Sequence, residues 1–216
     1  MILAIETSGA ICGVAVHDGA HIVALREDDR PRIHDEVLMS QIQGVLGDAG
    51  ISFAQLTAVA CSVGPGSFTG IRIGLSAAKG LCFSLNIPLV PVPTLDALAF
   101  AAVDDARSRG ATRIVVALIA EGEKCYYGAF DGAGTRLEAY QTLLRSALPP
   151  VGANTLVIGS ASLYFTARGA GPEDGISLPR VRFVANLGAT LFARGISENP
   201  TLTEPLYVTT VVHTPL

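Results

Sequence analysis

The sequence predicts an α/β protein built from two related lobes. Three observations predict it. Short apolar strands alternate with amphipathic helical stretches; a set of strand hairpins followed by helices occurs twice, more weakly the second time; and 216 residues, half of them hydrophobic, suffice for one large core or two small ones.

Three strands in series open the chain, at 2–6, 11–17 and 21–26. The last two flank Asp18-Gly19, a dipeptide that accepts the positive φ of a tight hairpin turn. A helix is predicted over 34–49, with Leu38, Ile42, Val45, Leu46 and Ala49 at three- and four-residue spacing and Gly50 as its stop. That apolar face reads as core. A short strand at 58–63 feeds a glycine-rich loop, a second helix runs over about 70–85 until Pro88, and a strand at 89–92 leads to a helix opened by Thr94. After the polar stretch 104–110 the pattern resumes with strands at 113–119 and 124–130, a turn at Asp131-Gly132, a strand at 156–159, a helix over about 186–193 and an extended end at 205–212. Residues 141–181, rich in Pro, Gly and Ala, are placed only coarsely. The expected division is 1–106 for the first lobe and 107–216 for the second.

Composition narrows the function classes. Only 16% of the residues are charged and the net charge is -4, so the chain has no basic footprint for gripping a phosphate backbone, and any nucleic acid is expected to be held mostly by something else. Cys12, Cys61, Cys82 and Cys125 form no C-x-x-C pair, which fits buried thiols in a reducing compartment. The first residues lack the basic stretch of a signal peptide, and the apolar runs break well before the ~20 residues of a membrane span, so a cytoplasmic location is expected.

Gly64-Pro65-Gly66-Ser67-Phe68-Thr69-Gly70 poses the sharpest question. It is no Walker loop, because Ile71 and Arg72 stand where lysine and a hydroxyl would reach phosphates and magnesium. Two readings stay open: an anion cradle of backbone amides involving Gly64, Gly66 and Ser67, or a strand-to-helix turn whose glycines let backbones pack closely. In the helix beyond, Gly70, Gly74 and Ala78 share one face, and Ile71, Ile73, Leu75, Leu81, Cys82 and Leu85 cover most of the rest. Such a helix needs cover on two sides, its own sheet and either a second helix or a second protein, with the small residues admitting a close partner.

Catalytic groups are scarce. The histidines are His17, His21, His34 and His213, with no Ser-His-Asp order and no G-x-S-x-G elbow. His17 and His21 have H-x-x-x-H spacing but flank the Asp18-Gly19 turn, so they read as hairpin surface residues, and neither a catalytic nor a metal site is expected. Glu6-Thr7-Ser8-Gly9 sits at a strand end, where α/β sheets tend to bind ligands; a nucleotide contact and a plain polar turn both fit.

Through Ile5-Glu6-Thr7-Ser8, His34-Asp35-Glu36-Val37-Leu38, the stretch from Gly64 to Gly74, Ala78-Lys79-Gly80-Leu81 and Ile87-Pro88-Leu89-Val90, the chain closely resembles the TsaB (YeaZ) family, the dimerisation subunit of the bacterial tRNA threonylcarbamoyladenosine (t6A) machinery. The resemblance is strong over residues 1 to about 100 and thin beyond. It implies duplicated lobes of the actin-like, sugar kinase and Hsp70 (ASKHA, RNase H-like) fold. It also implies a noncatalytic scaffold whose two helices bundle with those of the TsaD paralogue, an ATP-hydrolysing TsaE partner with ATP or ADP near the subunit junction, indirect dealings with tRNA, and a homodimer in isolation. The partner-binding residues it implies are His34, Leu38, Ile42 and Val45 on the first helix and Gly70, Arg72, Gly74, Ala77, Ala78 and Leu81 on the second. In the family TsaD holds a metal through an H-x-x-x-H on its first helix, whereas here Leu38 follows His34 at the second position. Glu6 also replaces the family's usual aspartate, and 119–126 departs from the Asp-Ala-Arg and Gly-Glu-Val-Tyr run common in the second lobe. The rivals are a small nucleotide-dependent phosphotransferase or ATPase of the same superfamily, using Glu6 and Thr7 with the amides of the glycine loop, and a self-associating interaction protein built on the same helix pair.

Overall fold

A computed structural model describes residues 1–165 and 176–208 and the backbone of 211–212; His213 lies outside the described residues. Strands β1 (Ile2–Glu6), β2 (Cys12–His17) and β3 (Ile22–Asp28) form an antiparallel meander. β1 and β2 are buried on both faces, which is why they read as unbroken apolar runs. The predicted hairpin turn forms with Gly19 at φ 108°, and Asp18 Oδ1 accepts the amides of Ala20 (2.8 Å) and His21 (2.9 Å). Helix α1 (His34–Asp48) follows, β4 (Ala58–Gly64) lies parallel to β1, and α2 (Phe68–Leu85) leads to β5 (Leu89–Pro93), parallel to β4. The sheet order is β3-β2-β1-β4-β5. α2 starts two residues earlier than predicted because the Ser67 hydroxyl accepts the Gly70 amide at 3.2 Å, and it stops at Asn86, whose φ of 54° ends the helix in a left-handed turn.

The chain continues through α3 (Thr94–Ala101), α4 (Val103–Ser108), β6 (Arg113–Ile119), β7 (Lys124–Asp131), β8 (Gln141–Leu144), β9 (Thr155–Ile158), α5 (Val181–Ala193) and β10 (Val211–Val212). The second sheet has the order β10-β8-β7-β6-β9. Its β8-β7-β6-β9 part repeats β3-β2-β1-β4: an antiparallel meander whose first strand takes a parallel neighbour on its other side. The duplication is therefore topological, and the fold is the expected actin-like α/β class. β8 (Gln141–Leu144) falls at the start of the stretch that the sequence places only coarsely, and α4 is missed because its charges look like a linker.

The compact units are not contiguous in sequence. One comprises Met1–Thr94 with Pro179–Leu206, the other Leu95–Leu178 with Tyr207–Leu216. The division thus falls at the start of α3, not near residue 106, and α5 returns to the first unit. Two layers explain this. Leu3, Ile5, Val14 and Val16 share a core cluster with Leu38, Ile42 and Val45 of α1 and Leu75 and Ala78 of α2. The opposite face of the same sheet is covered by α5, whose Val181 packs at Gly13 and whose Gly188 packs at Ala60. Leu206 then fastens the segment after α5, its amide donating to the Val63 carbonyl at 2.7 Å.

Candidate functional site

The glycine loop is bare because the end of β1 lies against it. A side chain at Gly66 would overlap the Ser8 carbonyl, one at Gly70 the Thr7 carbonyl, and one at Gly74 the Thr7 hydroxyl. Gly64, at φ 109°, is both left-handed and covered by the Leu206 carbonyl. The Ser67 amide donates to Ser8 O at 2.8 Å, so the loop and the turn after β1 are joined directly. Close backbone packing is the reading the structure supports.

The strand-end residues expected to touch nucleotide face inward. Glu6, Thr7 and Ser8 are 1%, 0% and 2% exposed, and Gly64 is buried as well. Glu6 Oε1 accepts from the Ser8 amide, the Ser8 hydroxyl (2.7 Å) and the Ser62 hydroxyl (3.2 Å), while Thr94 Oγ1 donates to Ser8 Oγ at 3.0 Å. Burial pushes the Glu6 carboxyl up to about 6, against the pull of these hydrogen bonds. Its neighbours are therefore each other. Of the expected nucleotide set, only Ser67 and half-buried Gly66 reach the surface.

The partner-facing residues also need correction. Leu38, Ile42 and Val45 are at most 2% exposed and belong to the core of their own unit, so they present nothing to a second protein. Gly70, Gly74 and Ala78 are buried too; the small face of α2 admits the end of β1, not a foreign helix. Ala77 and Leu81 are half-buried at the edge of that core, and Arg72 is exposed with its guanidinium 3.8 Å above the Phe68 ring. The outward residues are others: Met39, Ser40, Gln43 and Gly47 on α1, and Thr69, Ser76, Gly80 and Ser84 on α2. Gly47 and Gly80 have open space where a Cβ would stand. Helical phase was the signal that could have separated the two faces, since each outward residue lies opposite a buried one.

His34 is half-buried, and its Nε2–H donates to the Gly9 carbonyl at 3.2 Å. His17 Nδ1 accepts the Gly19 amide at 2.9 Å and His21 sits 3.3 Å from Asp18; both belong to the hairpin, but only His21 is on the surface, because His17, the last residue of β2, is buried. Among the described residues no group of three His, Cys, Asp or Glu side chains is placed to hold a metal, all four cysteines are buried free thiols, and no helix is long and apolar enough to cross a membrane. A cavity of about 620 Å³ lies where α1 and α2 begin, lined by Asp29, Arg32, His34, Ser67, Thr69 and Ile73 among others.

Comparison with known proteins sets this geometry in a family. The family described as "TsaD: tRNA N6-adenosine threonylcarbamoyltransferase" matches residues 29–146, more than half of the chain. The "tRNA threonylcarbamoyladenosine biosynthesis protein TsaB" of Escherichia coli K12 is 28% identical across 96% of this chain and 94% of its own length. The Haemophilus influenzae protein of the same name is 33% identical over 58% of this chain and 52% of its own. The solved structure "YeaZ from Pseudomonas aeruginosa" superposes with a TM-score of 0.81 at 27% identity, covering 95% of this chain and 98% of that one. On these matches the chain belongs to the TsaB (YeaZ) family.

Proposed function

We propose that this protein works in t6A synthesis as a noncatalytic scaffold, docking the TsaD paralogue on the outer faces of α1 and α2. The supporting observation is the surface of that helix pair: Met39 is 48% exposed, Ile73 and Ala77 are half-buried, and Gly47 and Gly80 leave room for close approach. A mid-helix glycine such as Gly80 costs helix stability of about 1 kcal/mol relative to alanine, and the chain itself makes no use of the space there or at Gly47 in the last turn of α1. A partner helix seated there would exploit it through dispersion contacts. TsaE, with ATP or ADP near the junction, completes the proposed assembly, and tRNA is engaged through the partners. In isolation the same face serves for self-association.

Depletion of the protein followed by mass spectrometry of tRNA nucleosides tests the pathway: t6A is expected to fall, and an unchanged level refutes the assignment. Size-exclusion chromatography with TsaD tests the surface, because Gly80→Trp is expected to abolish the complex while leaving the fold intact. The phosphotransferase reading has the burial of Glu6, Thr7 and Ser8 against it. Calorimetric titration of the isolated chain with Mg-ATP decides between them, with micromolar binding and turnover favouring the enzyme.

A further inference from the structure

Glu6 is the only buried carboxylate among the described residues, and its position is informative. It pairs across the sheet with Gly13, the residue that abuts Val181, so its side chain points to the α5 side. Three donors converge on Oε1, the Ser8 amide, the Ser8 hydroxyl and the Ser62 hydroxyl, and the Gly9 amide also favours the charged form. Ser8 is a hub, because its carbonyl also accepts the amide of Ser67, the residue that caps α2. Ser62 in turn accepts the Thr7 amide at 3.4 Å.

We propose that Glu6 is a proton-sensitive latch: the ionised carboxylate fastens the turn after β1 to the loop that opens α2, and protonation slackens that grip. A proton arriving from solvent has Oε2 to occupy, and Oε1 is then left as a carbonyl-type acceptor for all three donors. Hydrogen bonds to a charged acceptor are roughly twice as strong as those to a neutral one, so in openings that part Ser67 from Ser8 while Glu6 stays buried the hold weakens on protonation, even though burial makes the protonated carboxyl the more stable form of the folded chain against the unfolded one. The titratable groups around it do not offset this charge. On β2 stands Cys12 and on β4 Cys61, both thiols that burial and the Glu6 charge push up, hence neutral; on the same side of the sheet Glu27 of β3 is paired with Arg180 at 2.7 Å, so the two charges largely cancel, and α5 itself carries only Arg182, which is exposed. Burial raises the Glu6 carboxyl to about 6, within reach of ordinary buffers.

The experiment is carbon-13 NMR of the Glu6 carboxyl in the full chain, with hydrogen exchange of the Ser67 amide from pH 5 to 7.5, corrected for intrinsic exchange. Expected are a Glu6 midpoint near 6 and a drop of about three- to tenfold in Ser67 protection on the acid side of that midpoint. Glu6→Gln, which has no charge to lose, is expected to remove the step. A Glu6 carboxyl that shows no midpoint between pH 5 and 7.5, as the ordinary value of 4.5 would give, protection without a step, or a step that persists in Glu6→Gln each overturns the proposal. Should Glu6→Gln fail to fold, the two measurements on the unaltered chain still decide.

Discussion

Gly74 and Gly80 stand six residues apart on one helix and have opposite reasons to be glycine. At Gly74 any side chain meets the Thr7 hydroxyl, so Gly74→Ala is expected to destabilise by about 1–3 kcal/mol, as overpacking in a tight core does. At Gly80 nothing lies within reach, and Gly80→Ala is expected to stabilise the isolated chain by up to about 1 kcal/mol through helix propensity. Urea unfolding of the two variants checks the pair. A leucine at Gly74 is consequently no probe of the interface, since it would disturb β1 first. Glu6 gives the fold a pH dependence. Its carboxyl is raised in the folded chain from 4.5 to about 6, so the folded state holds the proton more tightly than the unfolded state across that window. Stability from this group is therefore complete below 4.5 and lost as pH rises through 6, a cost of about 2 kcal/mol at pH 7.5. Glu6→Gln is expected to recover part of that at pH 7.5 and nothing at pH 4, measured by chemical denaturation at both.

At the scale of elements, the strands and helices of the first unit were legible to within a few residues, because apolar periodicity and turn dipeptides carry that information locally. β1, Ile2–Glu6, is the clearest case: five buried residues in a row followed by a polar turn. The start of α5 was not legible. Its first amide, that of Val181, donates to Glu27 Oε1 at 3.1 Å, and Arg180 binds Glu27 Oε2 at 2.7 Å, a cap supplied from 154 residues away in the case of Val181. A window of neighbours holds no trace of such a cap, so the sequence reading began the helix five residues late. The cap of α2 is local by contrast. Ser67→Ala removes the side-chain acceptor for the Gly70 amide and is expected to cost about 1 kcal/mol, visible as a lower urea midpoint with unchanged slope.

For the whole molecule, the return of α5 to the first unit has a direct consequence. Burying each of Val181, Val184 and Leu187 contributes about 1.5–3 kcal/mol, and together this is comparable with a domain's entire net stability of about 5–15 kcal/mol. A fragment of residues 1–106, the lobe that the sequence alone would cut out, leaves β1, β2 and β4 open on the α5 side. It is expected to be insoluble or to lack cooperative unfolding by circular dichroism, whereas 1–94 joined by a flexible linker to 179–206 is expected to fold. The α/β class, the doubled pattern, the glycine loop and the family resemblance are all legible before folding, because each is written in local order: periodicity, turn chemistry and contiguous motifs. Which face of each helix is free, that the glycines serve the turn after β1, that Glu6, Thr7 and Ser8 are sealed, and that α5 completes the first sheet emerge only once the chain is packed. Those facts depend on which surfaces meet across long stretches of chain, and burial is a property of the meeting, not of the residues taken one by one.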